Sequence, residues 1–215
     1  TKGPRLIRKK IDQLSFGRRF RQSKKLPIDE SLIVLESEGD LSDNAFALYD
    51  YLRTADYLDS YRVIWAVDDV NRAKALKAEN PYLWPNTDFV CKAYGFYDSD
   101  LAVALATCKW FIYDHCNLMA WLKKRPEQEV VFLSHGCGYK GPKGANSSES
   151  LTPYDFVTVT GPLAAVCVSN WQQRSTEFAI TTGYPRNDYL LRENSSVEYG
   201  VRNWLGLTDE EKLVL

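Results

Sequence analysis

Short apolar runs alternate along this chain with segments of helical spacing, and that alternation narrows the folds open to it. The runs are Leu32-Ile33-Val34-Leu35, Arg62–Val67, residues 88–92, Trp110-Phe111-Ile112-Tyr113 and residues 129–134. Two more follow at residues 155–159 and 178–182. Each is continuous rather than alternating, as in a strand covered on both faces. Between them, Ala45, Leu48, Tyr49 and Leu52 form a helical stripe opened by Ser42, a good N-cap residue. Further helices are predicted over 70–78, from Asp98 or Ser99 to about Cys108, over 118–123, over 162–173 and over 197–205. The expected fold is α/β: a Rossmann-like parallel sheet with helices on both faces.

Ligands of such sheets bind outside the carboxyl ends of the strands. That rule gathers Glu36, Glu38, Asp68, Asp69, Asp114, His115, His135 and residues 183–188 along one edge. The densest stretch there is Ser134-His135-Gly136-Cys137-Gly138-Tyr139-Lys140-Gly141-Pro142-Lys143-Gly144. It places one of the chain's 2 histidines where a strand gives way to a glycine-rich, lysine-bearing loop. Glycines let a backbone approach a ligand closely and can present N–H groups to phosphate. Imidazole is suited to taking a proton near neutral pH. A histidine at a strand end is also often structural, and residues alone leave both readings open.

Charge is unevenly spread. Residues 1–25 carry a net +9 and the remainder −10, although the whole chain is −1. Leu6, Ile7, Ile11 and Leu14 lie at roughly helical spacing there, which predicts a short cationic amphipathic helix stopped near Gly17. An anionic membrane surface fits residues 1–25, and so does a plain solvated linker. Nucleic acid is not expected as a partner, because no aromatic-interleaved basic face continues into the body. Trp84 and Trp121 are read as packing residues or as anchors near lipid, and Trp65 and Trp110 as core. No run is long and apolar enough to span a bilayer, and no secretory pattern is present. The 5 scattered cysteines suit reduced thiols. His115, Cys116, His135 and Cys137 lack the spacing of a zinc site, so no metal is expected, and no cofactor.

Several stretches together resemble one family. Ser42-Asp43-Asn44-Ala45-Phe46-Ala47-Leu48-Tyr49-Asp50-Tyr51-Leu52 is similar to the Ser-Asp-Asn…Tyr-x-Tyr-Leu segment of the CDP-glycerol glycerophosphotransferases, the teichoic acid polymerases. Their strand-then-His-Gly element, with a lysine five residues on, resembles His135, Gly136 and Lys140. Thr182-Gly183-Tyr184-Pro185-Arg186-Asn187-Asp188 looks like their Gly-Tyr-Pro-Arg-Asn-Asp turn. The resemblance covers residues 32–215.

It implies the N-terminal half of a GT-B-type enzyme with two Rossmann-like domains. Residues 1–28 would be a basic membrane-proximal segment, 29–209 the acceptor-side domain, and 210–215 the start of a C-terminal donor-binding domain. The implied reaction moves an alditol phosphate from a CDP-linked donor to a phosphate-polymer or lipid-linked acceptor. Its setting would be the cytoplasmic face of a bacterial membrane, in teichoic acid or capsule synthesis. This half alone is expected to be inactive. Where the family has Thr-Pro-Leu after His-Gly, this chain has Cys137-Gly138-Tyr139, which leaves glycerol, ribitol or sugar phosphate open. A GT-B glycosyltransferase using a nucleotide sugar and a non-catalytic membrane-tethered module are the alternatives.

The expected catalytic residues are His135 as base and Asp114 as the carboxylate that orients a histidine. Lys140 and Lys143 are expected to contact substrate phosphates, and Gly136 and Gly138 to give the tight turn of that substrate-binding loop. Arg186, Asn187 and Asp188 are expected at a ligand or a hinge, and Ser42 and Asn44 at a helix cap facing the acceptor.

Overall fold

The computed structural model describes residues 3–92, 99–136, 154–172, 174–190, 203–206 and 208. Seven strands form one parallel sheet in the order β3-β2-β1-β4-β5-β6-β7. They are β1 (Asp29–Glu36), β2 (Arg62–Val67), β3 (Thr87–Cys91), β4 (Cys108–Tyr113), β5 (Glu129–Leu133), β6 (Phe156–Val159) and β7 (Ala179–Thr181). The helices are α1 (Gly3–Ser23), α2 (Asp43–Thr54), α3 (Val70–Glu79), α4 (Ser99–Thr107) and α5 (Pro162–Gln172). The fold class read from the apolar runs is therefore present.

Period-two geometry divides β1 between two cores. Leu32 and Val34 face a layer that holds Phe16, Phe20, Leu101, Leu105 and Phe111. Ile33 and Leu35 face the other, with Tyr49, Trp65, Trp84 and Phe89. In that second layer Tyr49 stacks on Trp84 at 5.3 Å and meets Trp65 edge-on at 5.9 Å. Trp84 is thus a packing residue, only 7% exposed.

Two predicted elements change. The first helix does not stop at Gly17 but runs to Ser23. A Cβ at Gly17 would stand 3.2 Å from the Trp121 ring, so the glycine lets α1 lie close on that ring. Residues 118–123, predicted as a helix, form turns closed by Ala120 N–H to Asn117 O at 3.0 Å and Leu122 N–H to Met119 O at 2.9 Å. Three-residue turns bury Leu118, Met119 and Leu122 without a full helical repeat. Of the predicted 197–205 helix, only residues 203–205 are described, and they are helical. Among the described residues no helix is long and apolar enough to cross a membrane.

The strand order reverses between β1 and β4, since β1 leads outward to β2 on one side and pairs with β4 on the other. A crevice at the carboxyl ends opens at such a switch point.

Candidate active site

The loop from β1 to α2 is held from several sides. Glu36, fully buried, places Oε1 2.7 Å from Lys92 Nζ. Lys92 also donates to the carbonyl of Ser37 at 2.7 Å. Burial opposes the lysine's charge, yet Glu36 beside it, with Asp40 and Asp68, holds its pKa above the ordinary value. Glu36 Oε2 accepts the Cys116 N–H at 2.7 Å, which ties β1 to the end of β4. The Asp40 carboxylate accepts the N–H groups of Asp68 at 2.8 Å and Asp69 at 3.0 Å. Asp114 accepts the N–H groups of Glu38 at 3.0 Å and Ala45 at 2.8 Å, and so caps α2 from a neighbouring strand. Burial pushes the Asp114 carboxyl up to about 6 against those two bonds, with the charges of Glu36 and Asp43 adding to the rise.

So anchored, the loop adopts an unusual backbone. Gly39, Asp40, Leu41 and Asp43 have φ of 69°, 56°, 49° and 55°. Asp tolerates the left-handed region, whereas Leu there is strained.

The product of that conformation is the position of Asp43. Its Oδ2 lies 3.0 Å from His135 Nδ1, and its Oδ1 receives Arg186 Nη1 at 2.8 Å. Arg186 Nη2 donates to the His135 carbonyl at 3.0 Å. Asn44 completes the stitching: its Oδ1 accepts the Arg186 N–H at 3.2 Å and its Nδ2 donates to Ser134 O at 3.3 Å. Ser134 in turn donates to the Thr158 carbonyl at 2.6 Å. Three chain segments, from the ends of β1, β5 and β7, thus meet at one imidazole. The His135 side chain remains 34% exposed and Asp43 18%. Gly136 follows at φ 122°, and a Cβ there would meet the Tyr184 ring at 3.7 Å.

The expected residues sort unevenly. His135, Gly136 and Arg186 come together as the edge rule requires. Asp114 does not touch His135; its carboxylate is committed to backbone N–H groups, and Asp43 occupies the orienting position expected of it. Asn44 does not face the cleft, being fully buried with both ends of its amide engaged. Ser42 makes no side-chain cap; its hydroxyl donates back to the Glu38 carbonyl. Asn187 and Asp188 are exposed in the 3₁₀ turn Pro185–Leu190. Gly138, Lys140 and Lys143, and the departure at Cys137, lie outside the described residues. His115, 53% exposed, approaches Glu36 at 3.8 Å rather than His135.

Glu38, Asp43 and His135 also offer ligand atoms within 4.8 Å of one another. Both Asp43 oxygens are already engaged, by Arg186 and His135, and a cation there would compete with a guanidinium. The set fits a hydrogen-bonded histidine better than a metal centre.

Asp43 was the residue that sequence reading missed as a partner of His135. It is the middle residue of Ser42-Asp43-Asn44, at the start of the helix after β1. Choosing it over Asp114 required the loop's backbone path, which no local pattern encodes.

The architecture and this edge define a doubly wound α/β domain with a carboxylate-held histidine beside the switch point. The chain belongs to the CDP-Glycerol:Poly(glycerophosphate) glycerophosphotransferase family, whose sequence profile matches residues 18–215. Among similar proteins are the teichoic acid poly(glycerol phosphate) polymerase of Bacillus spizizenii, 24% identical over 88% of this chain and 50% of that protein. A second is the teichoic acid glycerol-phosphate transferase of Staphylococcus aureus, 26% identical over 96% of this chain and 54% of that protein. Solved structures of the wall teichoic acid polymerase TagF share the fold, with a TM-score of 0.63 at 16% identity over 99% of this chain and 55% of TagF. A TagF variant soaked with CDPG gives 0.65 at 17% identity over 99% of this chain and 57% of that one. The chain spans about half the length of the curated relatives it matches.

Proposed function

We propose that this chain is the acceptor-side half of a GT-B-type transferase. The enzyme would move glycerol phosphate, or a related alditol phosphate, from a CDP-linked donor to a growing teichoic-acid-like or capsular polymer. The observation that carries this reading is His135 at the carboxyl end of β5, bonded through Nδ1 to Asp43, in a chain of the glycerophosphotransferase family. With Nδ1 so engaged, Nε2 is the nitrogen left to take a proton. It removes the proton from the acceptor hydroxyl as that oxygen attacks the β-phosphorus of the donor. The bond from β-phosphorus to the bridging oxygen breaks, and CMP leaves. Such transfers depend on positioning and charge neutralisation more than on covalent catalysis. Lys140 and Lys143 are proposed to neutralise phosphate charge, with Gly136 and Gly138 allowing close approach. Exposed Asn187 and Asp188 are proposed to contact substrate.

The domain limits of 1–28, 29–209 and 210–215 belong to the same proposal, with the donor held by a second domain. So does peripheral attachment at the cytoplasmic face of a bacterial membrane. Exposed Arg18, Arg19, Arg21 and Lys25 share the α1 region with Leu14, 70% exposed, and Leu26 and Trp121, each 48% exposed. That mixture of basic and apolar side chains suits an anionic interface.

The test uses the purified full-length protein with acceptor, offered CDP-glycerol or a panel of nucleotide sugars. Release of CMP from CDP-glycerol supports the reading. Turnover of a nucleotide sugar instead would replace it with a glycosyltransferase, and turnover of neither would favour a tethered binding module.

A further inference from the structure

We infer that Asp43 is a positioning residue for His135, that Arg186 clamps it there, and that the strained loop 39–43 exists to bring it to that place. The inference rests on His135 being the base. It adds how that base is kept in one tautomer and orientation.

Geometry supports each part. Asp43 bonds His135 Nδ1 through one oxygen and Arg186 through the other, at 3.0 and 2.8 Å, so one orientation of the carboxylate serves both. Arg186 returns to the same histidine through its carbonyl at 3.0 Å. This closes a ring of hydrogen bonds that fixes backbone and imidazole together. A carboxylate accepting from Nδ1–H selects the tautomer whose Nε2 lone pair is free.

Backbone strain points the same way. Leu41 holds a positive φ of 49° between Asp40 and Asp43, which tolerate that region. A branched residue persists there only where surrounding structure over-determines it, and such residues cluster where function requires the geometry. Here the over-determination is visible: Asp114, Asp40 and Lys92 each bind backbone groups of the loop or its neighbours. Removing this network would relax the loop and withdraw Asp43. Among the described residues, the charged groups facing His135 are Asp43 from α2, Glu38 from the β1–α2 loop and Arg186 from the turn after β7. Of these, Asp43 is the one bonded to the ring.

A test independent of turnover is available, because the chain has 2 histidines. With ring nitrogens labelled, 15N NMR of neutral His135 is expected to show the Nδ1–H form. Asp43→Asn is expected to lose that preference while His115 is unchanged. An Nε2–H form in the unmodified protein, or the same tautomer in both proteins, would overturn the inference. The first of those outcomes needs no variant, so a poorly folding Asp43→Asn leaves the test intact.

In the full-length enzyme, Asp43→Asn is expected to lower kcat about 10²–10⁴-fold, as loss of a histidine-orienting carboxylate does elsewhere, with acceptor KM within a few-fold. Arg186→Gln is expected to cost less, about tenfold. In a His135→Ala background, Asp43→Asn should cost nothing further. An additive loss there would show that Asp43 acts on substrate or fold instead. Were His135→Ala to leave turnover intact, the base reading would fail while the tautomer result still judged the positioning.

Discussion

At the residue scale, Gly136 and Asp114 carry consequences that differ in kind. Gly136 sits at φ 122°, a conformation that side-chain-bearing residues rarely adopt, with the Tyr184 ring against it. Gly136→Ala is expected to destabilise the fold by about 1–3 kcal/mol, seen as a lower urea midpoint. An unchanged midpoint would mean the backbone relaxes freely there. Asp114 binds its proton more tightly folded, at about 6, than its ordinary value of 3.8. Folding therefore takes up a proton between those values, and this contribution to stability is present at low pH and lost as pH rises through about 6. Relative to Asp114→Asn, the unmodified protein should gain on the order of 2 kcal/mol between pH 7 and pH 4. Denaturation at a series of pH values checks this, and a flat difference would contradict it. His135 was legible in sequence because a strand end, a histidine and a glycine adjoin in the chain. The bonds of Asp114 belong to no local pattern, because they go to the β1–α2 loop, whose path depends on Asp68, Lys92 and Asp114 just past the ends of β2, β3 and β4.

At the element scale, α1 has a buried aromatic face and an exposed basic one. Phe16 and Phe20 are buried, 5% and 1% exposed, in the core layer that includes α4. Phe20→Ala is expected to cost about 3–5 kcal/mol, read by thermal or urea melting. Replacing Arg18, Arg19 and Arg21 with Gln should leave melting nearly unchanged and weaken binding to anionic vesicles, most at low salt. Equal vesicle binding would remove the membrane role. Helical spacing revealed the helix, but not its continuation through Gly17, because Trp121 lies about a hundred residues away in sequence. The Glu36–Lys92 pair joins β1 to β3 in the same hidden way. Lys92→Ala, which strands a buried carboxylate, is expected to cost about 3–5 kcal/mol in the same melts. Apolar runs marked the strands; the charges that fix their carboxyl ends belong to no local pattern.

At the scale of the whole molecule, sheet order decides where chemistry sits. Continuous apolar runs made a parallel sheet legible, whereas the order that puts β1 beside β4, and β5 next to β4, is set by long-range pairing. That order brings the end of β5 to the loop after β1 and completes the pair of His135 and Asp43. The chain spans about half of its relatives, and the donor is proposed to be held by a second domain. The 215-residue chain by itself is therefore expected to release no CMP from CDP-glycerol above background. The most direct measurement of the central claim is single-turnover CMP release by full-length enzyme, with and without His135→Ala, alongside CDP-glycerol binding. With His135 as the base, release is expected to slow by about 10²-fold or more with donor affinity unchanged. Release at the unmodified rate would contradict that role.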